Sequence, residues 1–395
     1  MINKQTEESK YYQFWLHNLP GVGDRTIARL LQFFGSEKAV YEADEKKLEQ
    51  VIPKEEIRKE IRCFSAAWDL KEAYENLKAQ GIGFLTDQDE EYPYRLRRLK
   101  FPPYGLYYLG NLPGEDQMAA AIIGARECSE YGRYMAEAFS GRLARAGVAV
   151  ISGMARGIDG IAQQAAISSG GATFAVLGSG VDVCYPASNR ALYKEILQTG
   201  GGILSVFPPG AKPQKRYFPE RNRIVAGLSD ILLVVEARQK SGTWITVDMA
   251  LEQGKNVYAV PGRLTDRLSD GCNLLIRQGA GIALSPDDLL QEMCVLRNRL
   301  GDSGKGDFGS RTDKRVSGKK PEGERPEEGL LAYLDYMPRR ADEILELMIK
   351  NGERTGISEV LADLTRLCIE GKARQEGGYY CADDALRRAG VSAWK

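Results

Sequence analysis

Histidine is almost absent from this sequence: His17 is the single one among 395 residues. A Ser-His-Asp triad needs an imidazole that takes up and returns a proton, and many transition-metal centres need several imidazole ligands. One histidine near the beginning of the chain supplies neither arrangement. The composition therefore argues against histidine-dependent hydrolases and histidine-rich metalloenzymes, and we predict no catalytic residue of these kinds.

Cysteine is present, but never at the spacing that binds zinc or forms a redox pair. None of the seven cysteines stands in a CxxC pair, and an odd number does not suit a disulfide framework. We expect buried, reduced thiols, no bound metal and no other cofactor. The cysteines are Cys63, Cys128, Cys184, Cys272, Cys294, Cys368 and Cys381.

The chain also lacks an excess of charge and any long apolar run. Lys and Arg number 54 and Asp and Glu number 54, while 43% of the residues are hydrophobic. Overall charge therefore favours no polyanionic partner, and a nucleic-acid site would have to rest on a local cluster of cations. No window is long enough for a membrane helix, and the polar start MINKQTEESK is no signal peptide. We expect a cytoplasmic globular protein.

Short apolar runs alternate with helical patterns across residues 115–295. Met135, Phe139 and Leu143 recur every four residues, as on one face of a helix. Apolar runs flanked by Gly and Pro are typical of strands buried on both faces, and their alternation with helices predicts an α/β fold with a doubly wound parallel sheet. The runs are AAAIIGA (119–125), VAVISGM (148–154), TFAVLGS (173–179), GILSVF (202–207), ILLVVEA (231–237) and NVYAVPG (256–262).

We divide the chain into a helical domain at 1–86, the sheet domain at 87–298, a flexible linker at 299–328 and a small domain at 329–395. Within the first, LPGVGDRTIARLLQFFGS (19–36) resembles a helix-hairpin-helix of the SAM-like type. Its glycine turn can hold a DNA phosphate, or the motif can serve only as a packed helical hairpin. The linker is rich in Gly, Lys and Glu, a composition that cannot bury a core.

The last domain reads as three helices followed by a Gly-Gly hairpin, an order that resembles a winged helix. A helix that reads duplex DNA should be basic. Its third helix instead carries Glu359, Asp363 and Glu370 against Arg366. We therefore favour a protein-contact or regulatory role, with duplex DNA as the alternative.

Gly- and Ser-rich loops follow the predicted strands. In an open parallel sheet these loops form the ligand-binding edge, where glycine lets the backbone approach a ligand and helix N-termini attract anions. The candidate positions are Ser152, Gly153, Gly157, Gly178, Ser241 and Gly242. The same glycines also suit plain tight turns. A dinucleotide site is less well supported, because GARECS (124–129) is not GxGxxG.

A basic segment lies between GILSVF and ILLVVEA, and so at the same edge. Cations beside an aromatic ring are what an unpaired nucleic-acid strand needs, since guanidinium groups bind phosphate and a ring stacks on a base. The alternative is that the arginines pair with carboxylates and the ring packs in the core. Arg126, at the end of the first run, adds a further cation. The segment contains Lys212, Lys215, Arg216, Phe218, Arg221 and Arg223.

In this order the motifs resemble the DNA-processing protein A family (DprA, also called Smf). The resemblance implies a Rossmann-like fold and a non-enzymatic role: binding single-stranded DNA, protecting incoming DNA and loading the RecA recombinase during natural transformation, as a homodimer. The segments are IIGARECSEYG (122–132), ISGMARGIDGIA (151–162), TFAVLGSGVDVCYPASN (173–189), RYFPERNRIVAGLSD (216–230), VVEARQKSGTWIT (234–246), AVPG (259–262) and SDGCNLLIRQGA (269–280).

Site residues follow from the same resemblance. The second signature loop contains Ser152, Gly153, Gly157 and Asp159, and we expect Asp159 to orient backbone and arginines rather than to catalyse. The residues that fall in the family's DNA pocket are Arg126, Lys215, Phe218, Arg221, Asn222 and Arg223.

Two positions depart from the family pattern. Val206 stands where an acidic residue is usual, and Trp244 replaces a common Leu. A missing carboxylate would leave a pocket arginine less firmly positioned.

An enzyme is the rival interpretation. Nucleoside-monophosphate phosphoribohydrolases have a related fold with a PGGxGTxxE motif. Here Thr246, not Glu, stands three residues after Thr243.

Overall fold

The computed structural model describes residues 7–299, 330, 333–334, 339–351, 355–370, 372–376 and 379–382. The chain divides into two compact units, residues 1–308 and 309–395. The predicted helical domain and the predicted sheet domain thus belong to one unit. The predicted linker, apart from Arg299, lies outside the described residues.

A nine-stranded sheet forms the centre of the first unit, in the order β1-β2-β6-β5-β4-β3-β7-β8-β9. Strands β3 to β9 run parallel to one another, whereas β2 is antiparallel to both of its neighbours, β1 and β6. The predicted mixed α/β fold with a large central sheet is confirmed. The strands are β1 Gly83–Thr86, β2 Gly105–Gly110, β3 Ala119–Ile123, β4 Ala149–Ser152, β5 Thr173–Val176, β6 Gly202–Ser205, β7 Ile231–Val234, β8 Asn256–Ala259 and β9 Gly281–Ile282.

Each of the six apolar runs contains a strand, but β1, β2 and β9 were not predicted. β1 lies in the segment that we predicted to be helical. It has only four residues, too few for a periodic pattern, and it is a strand because it pairs with β2 along its whole length. Pairing partners distant in sequence thus decided its conformation.

The helices of the first unit form an N-terminal group, α1 to α6, and a set that connects the strands. α1 and α2 are joined by residues 18–23, where Gly21 has a positive φ of 70°. The helices are α1 Glu7–His17, α2 Asp24–Phe34, α3 Glu37–Tyr41, α4 Glu45–Val51, α5 Glu55–Ala67, α6 Leu70–Ala79, α7 Tyr94–Arg97, α8 Glu130–Arg145, α9 Ile158–Ser168, α10 Arg190–Gln198, α11 Tyr217–Leu228, α12 Thr243–Glu252, α13 Asp270–Arg277 and α14 Pro286–Arg299.

Helices cover both faces of the parallel strands. Ala120 and Ile122 of β3 share an apolar cluster with α8 and α9, whereas Ala121 of the same strand shares another with α11 and α12. Successive side chains of a strand point to opposite faces, so β3 is buried from both sides. This arrangement is what the continuous apolar runs predict.

The described residues of the second unit form two helices and a small antiparallel sheet in the order β10-β12-β11. Most of the first predicted helix, around 329–337, lies outside the described residues. The name winged helix therefore stays a prediction, as does helix-hairpin-helix for residues 19–36. The elements are β10 Arg339–Arg340, α15 Ala341–Lys350, α16 Ile357–Ile369, β11 Ala373–Glu376 and β12 Tyr379–Ala382.

Several composition-based expectations can be compared with the described residues. No helix among them is both long and apolar enough to cross a membrane. Within those same residues, no cluster of three or more His, Cys, Asp or Glu side chains could hold a metal ion. The thiols of Cys63, Cys128, Cys184, Cys272, Cys294 and Cys368 are free.

A buried ion pair joins α7 to the sheet. Arg95 donates to both carboxylate oxygens of Asp230, at 2.8 and 2.9 Å, and to the carbonyl of Gln117 at 2.7 Å. Asp230 also accepts from the Ala119 N–H at 2.8 Å. The pair therefore fixes the starts of β3 and β7, the two central strands whose other ends carry the candidate site.

We predict that Asp230→Ala lowers the free energy of unfolding by about 3–5 kcal/mol, because Arg95 would be left buried without a counter-charge. Urea unfolding measures this change, with the exposed Asp116→Ala as a matched control. A loss below about 1 kcal/mol, the value of an exposed pair, would contradict the assignment.

Candidate nucleic-acid interface

A cavity of about 550 Å³ lies at the carboxyl ends of the parallel strands; we call it the strand-end cavity. Its walls come from residues that follow β3, β4 and β7 and from one face of α11. β3 lies between β4 and β7, so the strand order reverses here. Ligands of open α/β sheets bind at this kind of switch point.

The basic segment is helical from Tyr217 onward. α11 begins at Tyr217 and includes Phe218, Arg221 and Arg223. Pro219 is compatible with the helix because it lies in the first turn, where a missing N–H costs nothing. The helix divides its residues between two sides. Phe218, Arg221 and Asn222 line the strand-end cavity, whereas Arg223 lines a different groove.

Phe218 is the aromatic centre of the site. The guanidinium carbons of Arg126 and Arg221 lie 5.7 and 5.8 Å from its ring centroid, and the Tyr185 ring lies 6.0 Å away. The ring is half-buried and also lines a smaller side cavity of about 280 Å³, together with Gly178. Phe218 is therefore accessible from two hollows, as a stacking platform requires.

Arg221 lies beneath the cavity floor and is only 6% exposed. It donates to the carbonyl of Gly153, to that of Val176 at 3.1 Å and to the side chain of Asn222 at 3.0 Å. Burial lowers the pKa of its guanidinium, although the negative charge of Asp159 partly offsets this effect. Nε and Nη1 of Arg221 thus bond to the protein, and the residue forms a fixed part of the cavity floor.

Asp159 lies beside Arg221 beneath the cavity, and its expected role in orienting the site stays a prediction. One of its carboxylate oxygens accepts from the Gly153 N–H at 3.2 Å. Burial raises the pKa of Asp159, while the charge of Arg221 and the backbone N–H groups act in the opposite direction. Gly153 is required here, because a Cβ would overlap the Arg221 guanidinium.

The exposed cations are arranged around this floor. Arg126 and Lys215 were predicted and are exposed at the cavity wall. Arg156 and Arg238 line the same wall and were missed. Arg156 and Arg238 each follow a predicted strand by a few residues, and this position could have identified them as site residues from the sequence. Glu127 is the exposed carboxylate among the cavity-lining residues, so positive charge predominates.

Four predicted residues line neither the strand-end cavity nor the side cavity. Ser152 is buried and donates to the Ile122 carbonyl at 2.7 Å. Gly157 has φ 74° and packs against the backbone of 125–126, where a Cβ would not fit. Lys212 is exposed, but it is not among the residues that line the cavity. Arg223 is paired with Glu220 and, at 3.2 Å, with Asp24.

The N-terminus of α12 opens onto the cavity. Ser241, Gly242 and Thr243 line the wall there, and no side chain caps the helix. The Ser241 hydroxyl is buried and has no hydrogen-bond partner in the described part of the chain. An uncapped helix N-terminus carries partial positive charge and suits an anion.

The structure shows what surrounds the two departures from the family pattern. The backbone carbonyl of Val206 bonds with Nε2 of His17 at 3.0 Å, and burial lowers the pKa of His17 to about 4. Arg221 is held by carbonyl groups, so a valine at 206 does not leave it unpositioned. The Trp244 indole donates to the carbonyl of Arg238 at 3.1 Å and thereby fixes the backbone of a cavity cation.

These features define an α/β protein with a cationic, aromatic-lined cavity at the switch point of a parallel sheet. Residues 83–294, from β1 into α14, match the model of the DNA recombination-mediator protein A family. The chain belongs to this family, whose members process DNA. The resemblance inferred from the motifs is confirmed.

Individual relatives agree with this assignment. The chain is 41% identical over 225 residues to DNA processing protein DprA of Streptococcus pneumoniae, covering 57% of this chain and 79% of that protein. It is 36% identical over 308 residues to Protein Smf of Escherichia coli, covering 77% and 78%. The crystal structure of the pneumococcal protein is 33% identical, with a TM-score of 0.62, and the match covers 71% of this chain and 97% of that one.

We predict that Arg221→Ala lowers the free energy of unfolding by about 1–3 kcal/mol, because buried carbonyl groups lose their donors. Lys215→Ala, at an exposed cation of the same cavity, should leave unfolding unchanged. Chemical denaturation of both variants checks this contrast. Equal stability of the two variants would show that Arg221 is not a structural part of the floor.

Proposed function

We propose that the chain is a non-enzymatic recombination mediator that binds single-stranded DNA in the strand-end cavity. The observation that carries this proposal is the half-exposed ring of Phe218 among the exposed cations Arg126, Arg156, Lys215 and Arg238. Phosphates would meet the cations and the α12 N-terminus, and one unstacked base would meet the ring. The family assignment supports DNA as the ligand.

An unpaired strand fits this geometry better than a duplex. Phe218 lines a concave cavity and does not stand on a convex surface. The base faces of a duplex are stacked on each other, so a recessed ring would have no base to contact. The stacking surface of Phe218 would then be unused, whereas a flexible single strand can insert a base.

The enzymatic alternative has less support from the cavity. Thr246, at the position where phosphoribohydrolases have Glu, is buried in α12. The carboxylates that line the cavity are Glu127 and Asp159, and Asp159 is bonded to the Gly153 N–H. Release of ribose phosphate from nucleoside monophosphates would contradict the non-enzymatic role.

We further propose that the protein is a homodimer through the edge of the sheet at β9. Large apolar side chains are exposed along this edge, and edge strands are places where chains associate. They include Leu251, Ile282 and Leu284, which are 57%, 51% and 73% exposed. A dimer would cover them and could align two strand-end cavities along one strand.

The second proposed partner is RecA. A mediator that holds a single strand through its backbone and one base leaves the neighbouring nucleotides open to a recombinase. We propose that the strand is protected and then transferred to RecA, as in natural transformation, and that this takes place in the cytoplasm. The family's description as recombination mediator supports this part of the proposal.

Binding to oligo-dT and to a duplex of equal length tests the proposal. We expect tighter binding of the single strand. Phe218→Ala should weaken it by about 1–3 kcal/mol, since one base loses its stacking partner. Lys215→Ala should reduce the slope of log K against log salt by about 0.7, one phosphate contact on a single strand.

Two controls make this test specific. Phe33→Ala removes another exposed ring, and Lys194→Ala removes another exposed cation; neither residue lines the cavity. Both should bind like the wild type. Equal affinity for duplex and single strand, or wild-type binding by the Phe218 variant, would refute the proposed site.

Dimerisation gives a separate prediction. Leu284→Glu should shift the protein from dimer to monomer in sedimentation equilibrium, because two buried carboxylates would face each other across the interface. Leu264→Glu alters a residue that is 88% exposed, follows β8 and does not line the hollow beside β9, and it serves as the control. A wild-type chain that is monomeric at micromolar concentration would contradict this part.

A further inference from the structure

Another groove, of about 880 Å³, lies near the strand-end cavity. We call it the second groove. It lies between the N-terminal helices and the sheet, within the same compact unit. Its walls are the start of α2, the segment after α7, and the far sides of α11 and α12. The lining residues that the argument uses are Asp24, Arg25, Arg98, Lys100, Phe101 and Arg223.

An exposed aromatic ring stands at this groove. Phe101 is 48% exposed and is flanked by cations: the guanidinium carbon of Arg25 lies 4.9 Å, and the Lys100 ammonium 5.6 Å, from the ring centroid. Arg223 donates to the carbonyl of Phe101 and so fixes the backbone that carries the ring. The ring is therefore held in place without being buried.

The charge left over in the groove is positive. Arg223 bonds with Asp24 and Glu220, so one cation is shared between two carboxylates. The lining as a whole carries four cations against three carboxylates, so an excess of one positive charge remains. In the described part of the chain, Arg25, Arg98 and Lys100 form no ion pair within 4 Å. Glu252 is the remaining carboxylate of the lining. Cations beside an exposed ring repeat the chemistry of the strand-end cavity.

The two hollows lie along the same two helices. α12 contributes Thr243, Ile245 and Thr246 to the strand-end cavity, and Met249 and Glu252 to the second groove. At 1.5 Å per residue, these positions are on the order of 10 Å apart along the helix. α11 likewise contributes Phe218 and Asn222 to the strand-end cavity and Arg223 to the second groove. A strand held in the first hollow can therefore reach the second within a few nucleotides.

We propose that the second groove is an extension of the single-strand site: the bound strand continues across it, with a base against the Phe101–Arg25 pair and phosphates near Arg98 and Lys100. This inference rests on the proposed function and adds to it. It also gives the N-terminal helices a direct part in binding DNA, in contrast to a role in packing alone.

A length series tests the extension. Fluorescence anisotropy would measure the affinity for oligo-dT from about 4 to about 16 nucleotides, the range of single-strand sites. Wild-type affinity should rise with length beyond the shortest oligonucleotides. Phe101→Ala and Arg25→Ala should bind short oligonucleotides like the wild type but long ones about tenfold more weakly, since one stacked base or one phosphate contact is lost.

Matched variants separate this effect from general damage. Phe33→Ala removes a ring of the same exposure, 49%, at the other end of α2, and Lys46→Ala removes an exposed cation. Both should follow the wild type at every length. Phe101→Leu keeps the apolar bulk and should show the same loss as Phe101→Ala, because a base stacks on an aromatic face.

The outcomes distinguish the two proposals. A loss confined to long oligonucleotides supports the second groove. If these variants lose no affinity, or lose it equally at every length, the proposed extension into the second groove is wrong, while the proposed binding in the strand-end cavity still stands. Failure of the wild type to bind oligo-dT of any length would overturn the proposed function and the extension together.

Discussion

The candidate site depends on how Arg221 is buried. Its guanidinium bonds to carbonyl groups of Gly153 and Val176, which belong to the ends of neighbouring strands, and lies under the ring of Phe218. This contact sets the rotation of α11 about its own axis. With the helix fixed in this way, Phe218 and Asn222 face the cavity and Arg223 faces the second groove. A different partner for Arg221 would change every one of these placements.

A chain without net charge can still attract a polyanion, because its cations are unevenly distributed. Around the strand-end cavity the exposed arginines and lysine outnumber the single exposed carboxylate, Glu127. Some carboxylates elsewhere are paired within the protein, as Asp230 is with Arg95. Buried ion pairs thus lie within the fold, whereas unpaired positive charge is concentrated around the strand-end cavity. Binding should accordingly weaken with salt, while stability should depend on the buried pairs.

Much of the framework could be predicted from the sequence, because runs buried on both faces carry their own signal. The six central strands are of this kind. β1 and β9 are too short to show a period, and their pairing depends on partners far along the chain. The helical state of 217–228 was not predicted, because its first half, YFPERNR, has no apolar residues at helical spacing. The burial of Arg221 could not be read from its neighbours either, since its acceptors lie 45 and 68 residues away. Arg156 and Arg238, by contrast, could have been found from their positions after strands.

Photo-crosslinking tests the central claim most directly. Oligo-dT carrying 5-iodouracil would be irradiated with the full-length protein, and the modified residue identified by mass spectrometry. The account predicts crosslinks to Phe218, or to Tyr185 across the side cavity from it, and their loss when unlabelled single strand competes. Crosslinks confined to residues outside both the strand-end cavity and the second groove would contradict it.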